Sequence, residues 1–107
     1  MTWQVEFLNE AAQAEVDALP VDIRARFVRV KELIESHGLD RVGEPHVKHL
    51  DGKLWEMRMK GKDGIARSIY VTAKGKRVVV LRSFVKKTQK TPRREIELAR
   101  DRTKELK

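Results

Sequence analysis

The chain has no cysteine. Disulfides, thiolate metal sites and cysteine nucleophiles are therefore excluded, and the absence fits a reducing compartment. Proline is scarce at three residues and glycine at six, out of 107. No linker, internal repeat or low-complexity tract interrupts the chain. Aromatics make up only 6%, so the core must be built mainly from aliphatic side chains. No apolar run approaches the ~18 to 20 residues that a membrane-crossing helix needs. The opening MTWQVEFLNEAAQ has neither the basic segment nor the long apolar segment of a secretory signal. These absences lead to the expectation of a cytoplasmic protein with no membrane partner, folded as a single domain over residues 1–107.

Negative charge is also in short supply, with 16 Asp and Glu against 24 Lys and Arg and a net charge of +8. The imbalance is uneven. Residues 1–38 hold four cations and seven acids, residues 39–81 hold ten and five, and residues 82–107 hold ten and four. A mildly acidic start followed by a strongly basic remainder points to an anionic partner: nucleic acid, a membrane surface or an acidic protein. The charges Lys86, Lys87 and Lys90 come directly after the most apolar run, Val78 to Leu81. Folding alone gives no reason for three like charges there.

The residues that are present spell out an order of elements. Thr2 to Leu8 alternates, with Trp3, Val5 and Phe7 on one face, as a strand does. Asn9 is placed to cap a helix carrying Ala12, Val16 and Leu19 on one side. Pro20 closes it and can open the next, where Ile23, Phe27, Val30 and Ile34 keep the 3.6-residue period up to Gly38. His37, just before that stop, is placed to favour the helix C-terminus. Residues 39–53 read as irregular, with His46 and His49 in the loop. Three strands follow, LWEMRMK, IARSIYVTA and RVVVLRSF, separated by turns at Asp63-Gly64 and Lys74-Gly75, which suggests an antiparallel meander. Thr91 can cap a last helix with Pro92 at its first position and Ile96, Ala99, Thr103 and Leu106 on one side. The expected class is α+β: a small antiparallel sheet, an N-terminal helical hairpin packed on one face, and a C-terminal helix.

With helices on one face, the other is expected to be a working surface. Alternation puts Trp55, Met57 and Met59 in the core and turns Glu56 and Arg58 outward. Arg67 shares their face if the strand register is favourable, and Tyr70 falls on the opposite face as a packing residue. Lys86 and Lys87 come at the sheet's end, with Phe84 nearby. Four cations, one carboxylate and a ring suit an RNA backbone with a stacked base. Such a set could also cleave RNA, because the ribose 2′-OH is an internal nucleophile. The protein need only align it, take its proton, stabilise the charge on phosphorus and protonate the leaving oxygen. No metal is required for this, and the histidines and carboxylates form no ligand cluster. Glu56 is the natural general base, and a lysine depressed by its cationic neighbours is the other candidate. A cross-strand ion pair of Glu56 and Arg58, with surface lysines serving solubility, is the competing structural account.

The stretches KHLDGKLWEMRMK, ARSIYV and VVVLRSFVKKTQKTPRREIELARDR, in that order, resemble the HigB-like, phage-derived branch of the RelE/ParE toxin superfamily. FVKKTQKTP followed by Glu95, Ile96, Ala99 and Arg102 at helical spacing is the most specific part. The resemblance implies a RelE-like fold and the toxin of a type II toxin–antitoxin pair, a ribosome-dependent endoribonuclease that cuts mRNA. Its implied partners are a cognate antitoxin, the ribosome and mRNA, with no metal and no small-molecule cofactor. By motif, it places catalysis on Glu56, Arg58, Arg67, Lys86 and Lys87, and RNA binding on Arg82, Phe84 and Lys90. The alternatives are a gyrase-inhibiting, ParE-like toxin and a non-catalytic basic module that binds nucleic acid.

Overall fold

The computed structural model describes residues 2–43, 46–62, 64–86 and 90–106. Strand β1 (Gln4–Phe7) leads into α1 (Glu10–Asp17), whose cap is Asn9: its Oδ1 accepts the Ala12 N–H at 3.0 Å. Helix α2 (Val21–His37) begins after Pro20 and stops at Gly38, which takes a φ of +89° open to glycine at little cost. A short 3₁₀ turn (Leu39–Arg41) and strand β2 (Val47–Asp51) then occupy the stretch that reads as irregular in sequence. Strands β3 (Leu54–Gly61), β4 (Gly64–Ala73) and β5 (Arg77–Lys86) follow, then α3 (Arg93–Arg102) and a final 3₁₀ turn (Thr103–Glu105).

The five strands lie in the order β1-β5-β4-β3-β2. Strands β3 to β5 form the expected antiparallel meander and β2 adds an unexpected fourth antiparallel strand, but β1 runs parallel to β5, from Gln4 beside Arg77 to Phe7 beside Val80. The sheet is therefore mixed. The two-helix crossover carries the chain to the far edge, and three reversals bring it back to β1 in the same direction. The outer edge of β1 is partly closed. Glu35 on α2 accepts the Val5 N–H at 3.0 Å, which removes a donor that could recruit another strand.

Each sheet face has its own core. On one, Ile23, Phe27, Val30 and Ile34 of α2 and Val16 of α1 pack on Met57, Met59, Ala66, Tyr70, Val78 and Val80. The start of α2 presses on the end of β3. A Cβ at Gly61 would collide with Ile23 Cγ1, and Asp22 accepts the Lys62 N–H at 2.8 Å. The opposite face, expected to be open, is covered in part by α3, with Ile96 and Ala99 against Leu54, Ile69, Val71, Val79, Leu81 and Phe84. That face has enough apolar area to make leaving it in water costly. Trp55 also departs from expectation. It lies on the hairpin face, yet past the helices' cover it remains 38% exposed, with its ring edge-on to His49 at 5.0 Å.

Candidate active site on the α3 face

Register puts the charged side chains of the meander next to one another. Arg58 lies directly across from Arg67, Arg67 across from Phe84, and Glu56 across from Ile69. Glu56 is fully buried rather than turned to solvent, and so is Arg67. The Glu56 carboxylate is engaged on both oxygens. Its Oε2 accepts from Arg58 Nε and stands 3.7 Å from Arg67 Nε, while its Oε1 accepts the Thr91 hydroxyl at 2.6 Å. Thr91, expected to cap α3, spends its side chain here, and α3 has no side-chain cap. Burial pulls the Arg67 guanidinium below the usual arginine value; the Glu56 charge opposes that shift, and Arg58 adds to it.

Arg58 is the member of this cluster that meets solvent, with about a fifth of its side chain exposed (21%). Together with Glu56 it lines a groove of about 410 Å³. Lys48 and His49 of β2 form one wall, and Lys90, Thr91 and Ile96 form the other. Arg58, at the base of a cationic groove, can hold a phosphodiester, with the Glu56 carboxylate beside it and the Arg67 guanidinium behind.

A family model described as "Phage derived protein Gp49-like (DUF891)" matches residues 14–104. The chain belongs to that family. Among solved structures, a chain of the archaeal RelE–RelB complex from Pyrococcus horikoshii OT3 superposes with a TM-score of 0.56 at 25% identity, over 79% of this chain and 96% of that one. A doubly substituted mutant of E. coli toxin RelE in the free state gives a TM-score of 0.61 at 18% identity, with all of both chains covered. The fold is that of RelE toxins. No curated protein matches the chain.

The remaining residues singled out from the sequence of this Gp49-like chain have varied settings. Phe84 is only 8% exposed and belongs to the core beneath α3. Arg82 sits 5.9 Å from the Phe84 ring centroid and is held by acids. Its Nε donates to Glu95 at 2.8 Å and its Nη1 to Glu15 at 2.8 Å. Its hydrogen bonds to Glu95 lift its pKa above the usual arginine value, against burial. Lys86 is half-buried opposite Ile65 at the end of β5 and does not line the groove. Lys90 does line it, and Lys87 lies outside the described residues. Among the described residues, no group of three His, Asp or Glu is arranged to hold a metal ion, and no helix is long and apolar enough to cross a membrane.

Sequence reasoning missed the support around this cluster. Glu15 of α1 accepts from Arg82, from Arg102 at 2.9 Å and from the Ser83 N–H at 3.2 Å, while Arg102 also donates to the Leu81 carbonyl at 2.7 Å. The network ties α1, β5 and α3 together where β5 extends past the end of β1. Burial raises the Glu15 pKa, but the bonds from Arg102, Arg82 and Ser83 outweigh it and leave the pKa lowered. The only advance sign was the spacing of Glu95 and Arg102 on α3; Glu15 gave none. Lys48 was missed because β2 is too short to show a repeat.

Proposed function

We propose that this protein is the toxin of a type II toxin–antitoxin pair, and that it acts as an endoribonuclease cutting mRNA on the ribosome without a metal ion. The observation that carries the reading is the side-by-side placement of Glu56, Arg58 and Arg67 beneath a solvent-open cationic groove. It is joined to a RelE-like fold and to the RelE–RelB complex among similar structures, which supports an antitoxin as partner. The two guanidiniums and one carboxylate sum to one positive charge, which one phosphodiester would balance. In the proposed reaction Arg58 holds the scissile phosphate from the groove, and Arg67 lends charge from behind as negative charge grows on phosphorus. Glu56, released from the Thr91 hydroxyl, takes the 2′-OH proton, the 2′ oxygen displaces the 5′ oxygen, and Lys87 or Lys90 protonates that leaving group. Arg82 and Phe84 act as supports for the groove's floor, given their ion pairs and burial.

The test is induced expression in a bacterial host, with pulse labelling of protein and DNA synthesis and primer extension on an abundant mRNA. The expected result is rapid loss of translation with new cuts inside translated codons. Arg58→Ala should lower cleavage by about a hundredfold or more while the protein stays folded by circular dichroism. Intact mRNA with a DNA-damage response would transfer the protein to the gyrase-inhibiting class. RNA binding with no cut even on ribosomes would leave a non-catalytic module.

A further inference from the structure

Many cations of this protein are matched by a nearby acid. Lys31 pairs with Glu35, Arg77 with Glu6, Arg100 with Asp51 and Lys104 with Asp101. A second groove differs. It lies between α2 and the end of β3, encloses about 420 Å³, and has Arg26, Arg29, Lys48, Arg58 and Lys60 around it. The side chains of Arg26, Arg29, Lys48 and Lys60 form no ion pair or hydrogen bond with any described residue, and no described carboxylate lines the groove. Arg26, Arg29, Lys48 and Lys60 are exposed, over a floor of Val30, Met59 and Ile65. Lys48 and Arg58 line this groove and the candidate active site alike, so the two meet at those residues.

We propose that this second groove binds the phosphodiester backbone of single-stranded RNA flanking the scissile phosphate. The inference rests on the RNA reading of the first groove and extends it. Gathering unneutralised cations around one cleft costs repulsion, which a polyanion removes. The apolar floor accepts the faces of sugars and bases, which need no sequence-specific hydrogen bonds. An acidic peptide has the right charge as well. RNA is favoured because Arg58 belongs to both grooves, so a chain held at the scissile phosphate continues directly into the second.

The experiment compares the wild type with Arg26→Ala/Arg29→Ala/Lys60→Ala, and with Lys74→Ala/Arg94→Ala/Lys104→Ala as a control of equal charge change elsewhere on the surface. Binding of a fluorescent, uncleavable 2′-O-methyl RNA 12-mer is followed by anisotropy over a salt series, and melting curves check that both variants fold. The groove variant should bind at least tenfold more weakly at low salt. Its log–log salt slope should be shallower by about 2, at roughly 0.7 for each phosphate no longer neutralised, while the control keeps a slope near that of the wild type. Equal losses in the two variants, or none in the groove variant, would overturn the proposal. So would a poly-glutamate peptide that needs the three cations while RNA does not. If the groove variant shows the expected loss but the wild type cuts no mRNA on ribosomes, the nuclease reading falls and the RNA groove stands.

Discussion

Glu15 is a surface helix residue by sequence and a structural junction by geometry, so its removal is a sharp test of the fold's electrostatics. Glu15→Ala deletes the carboxylate that accepts from Arg82 at 2.8 Å, Arg102 at 2.9 Å and the Ser83 N–H at 3.2 Å. A buried charge-assisted hydrogen bond is worth about 1.5–3 kcal/mol. These side chains retain 17–24% exposure, so water recovers part of that. Arg82 keeps Glu95 and Arg102 keeps the Leu81 carbonyl, so neither guanidinium is stranded. The loss should therefore stay below the ~3–5 kcal/mol of breaking a fully buried pair. A destabilisation of about 2–3 kcal/mol at pH 7 follows, read in urea as a lower midpoint at unchanged slope and in heating as a fall of roughly 10 °C. Glu15→Gln, which keeps an acceptor for Ser83, should fall between. The pH dependence has a definite sign. The Glu15 pKa is lowered from 4.5 in the folded protein. Its contribution is complete above the unfolded value and lost as pH falls through the folded one. The gap between wild type and Glu15→Ala should therefore close below pH 4.5. A gap under about 0.5 kcal/mol at pH 7, or one unchanged at pH 3, would refute the reasoning.

Two further substitutions probe the packing around the site. Gly61→Ala sets a methyl group against Ile23 Cγ1 and 2.9 Å from Asp22 Oδ2; it should cost about 1–3 kcal/mol by urea denaturation, and a neutral result would mean that α2 is not seated on β3 as described. Thr91→Val keeps the side chain's shape but removes the 2.6 Å hydrogen bond to Glu56. It should lower stability by about 1–2 kcal/mol, with Thr91→Ser restoring most of the loss in the same assay.

The hairpin core was legible because α2 repeats its apolar residues over about three turns, and because β3 and β4 alternate long enough to put Met57, Met59 and Tyr70 on one side. Alternation assigns a side, but it cannot say how far the covering helices reach, so Trp55 had the right face and the wrong exposure. The same limit applies to the candidate site. Glu56 and Arg58 could be placed together from their spacing, and Arg67 could join them only through the β3–β4 register. Their burial depends on α3, whose two fully apolar contacts, Ile96 and Ala99, do not announce which sheet face they cover. The ion network lay beyond reach, because it joins residue 15 to residues 82, 83 and 102.

One backbone irregularity decides what that face contains. Ile69 pairs with Arg82 but Tyr70 pairs with Val80, so Leu81 is an extra residue in β5. Under a strict two-residue repeat, Arg82 and Phe84 would follow Val78 and Val80 onto the hairpin face. A guanidinium would then enter the core beside Met57, Met59 and Ala66, whose side chains carry no negative charge to pair with it; an unpaired charge there would cost more than a bulge does. The bulge turns Arg82 toward Glu95, sets Phe84 opposite Arg67, and sends Ser83 inward to share a 2.7 Å hydrogen bond with Ser68. The groups that bind the bulge are Glu15, on the Ser83 N–H, and Arg102, on the Leu81 carbonyl. They stand where β5 has run past its pairing with β1, and they satisfy backbone groups that a neighbouring strand would otherwise serve. Loosening this network would therefore act on the charged face through the register of β5, even though Glu15 does not line the Glu56 groove.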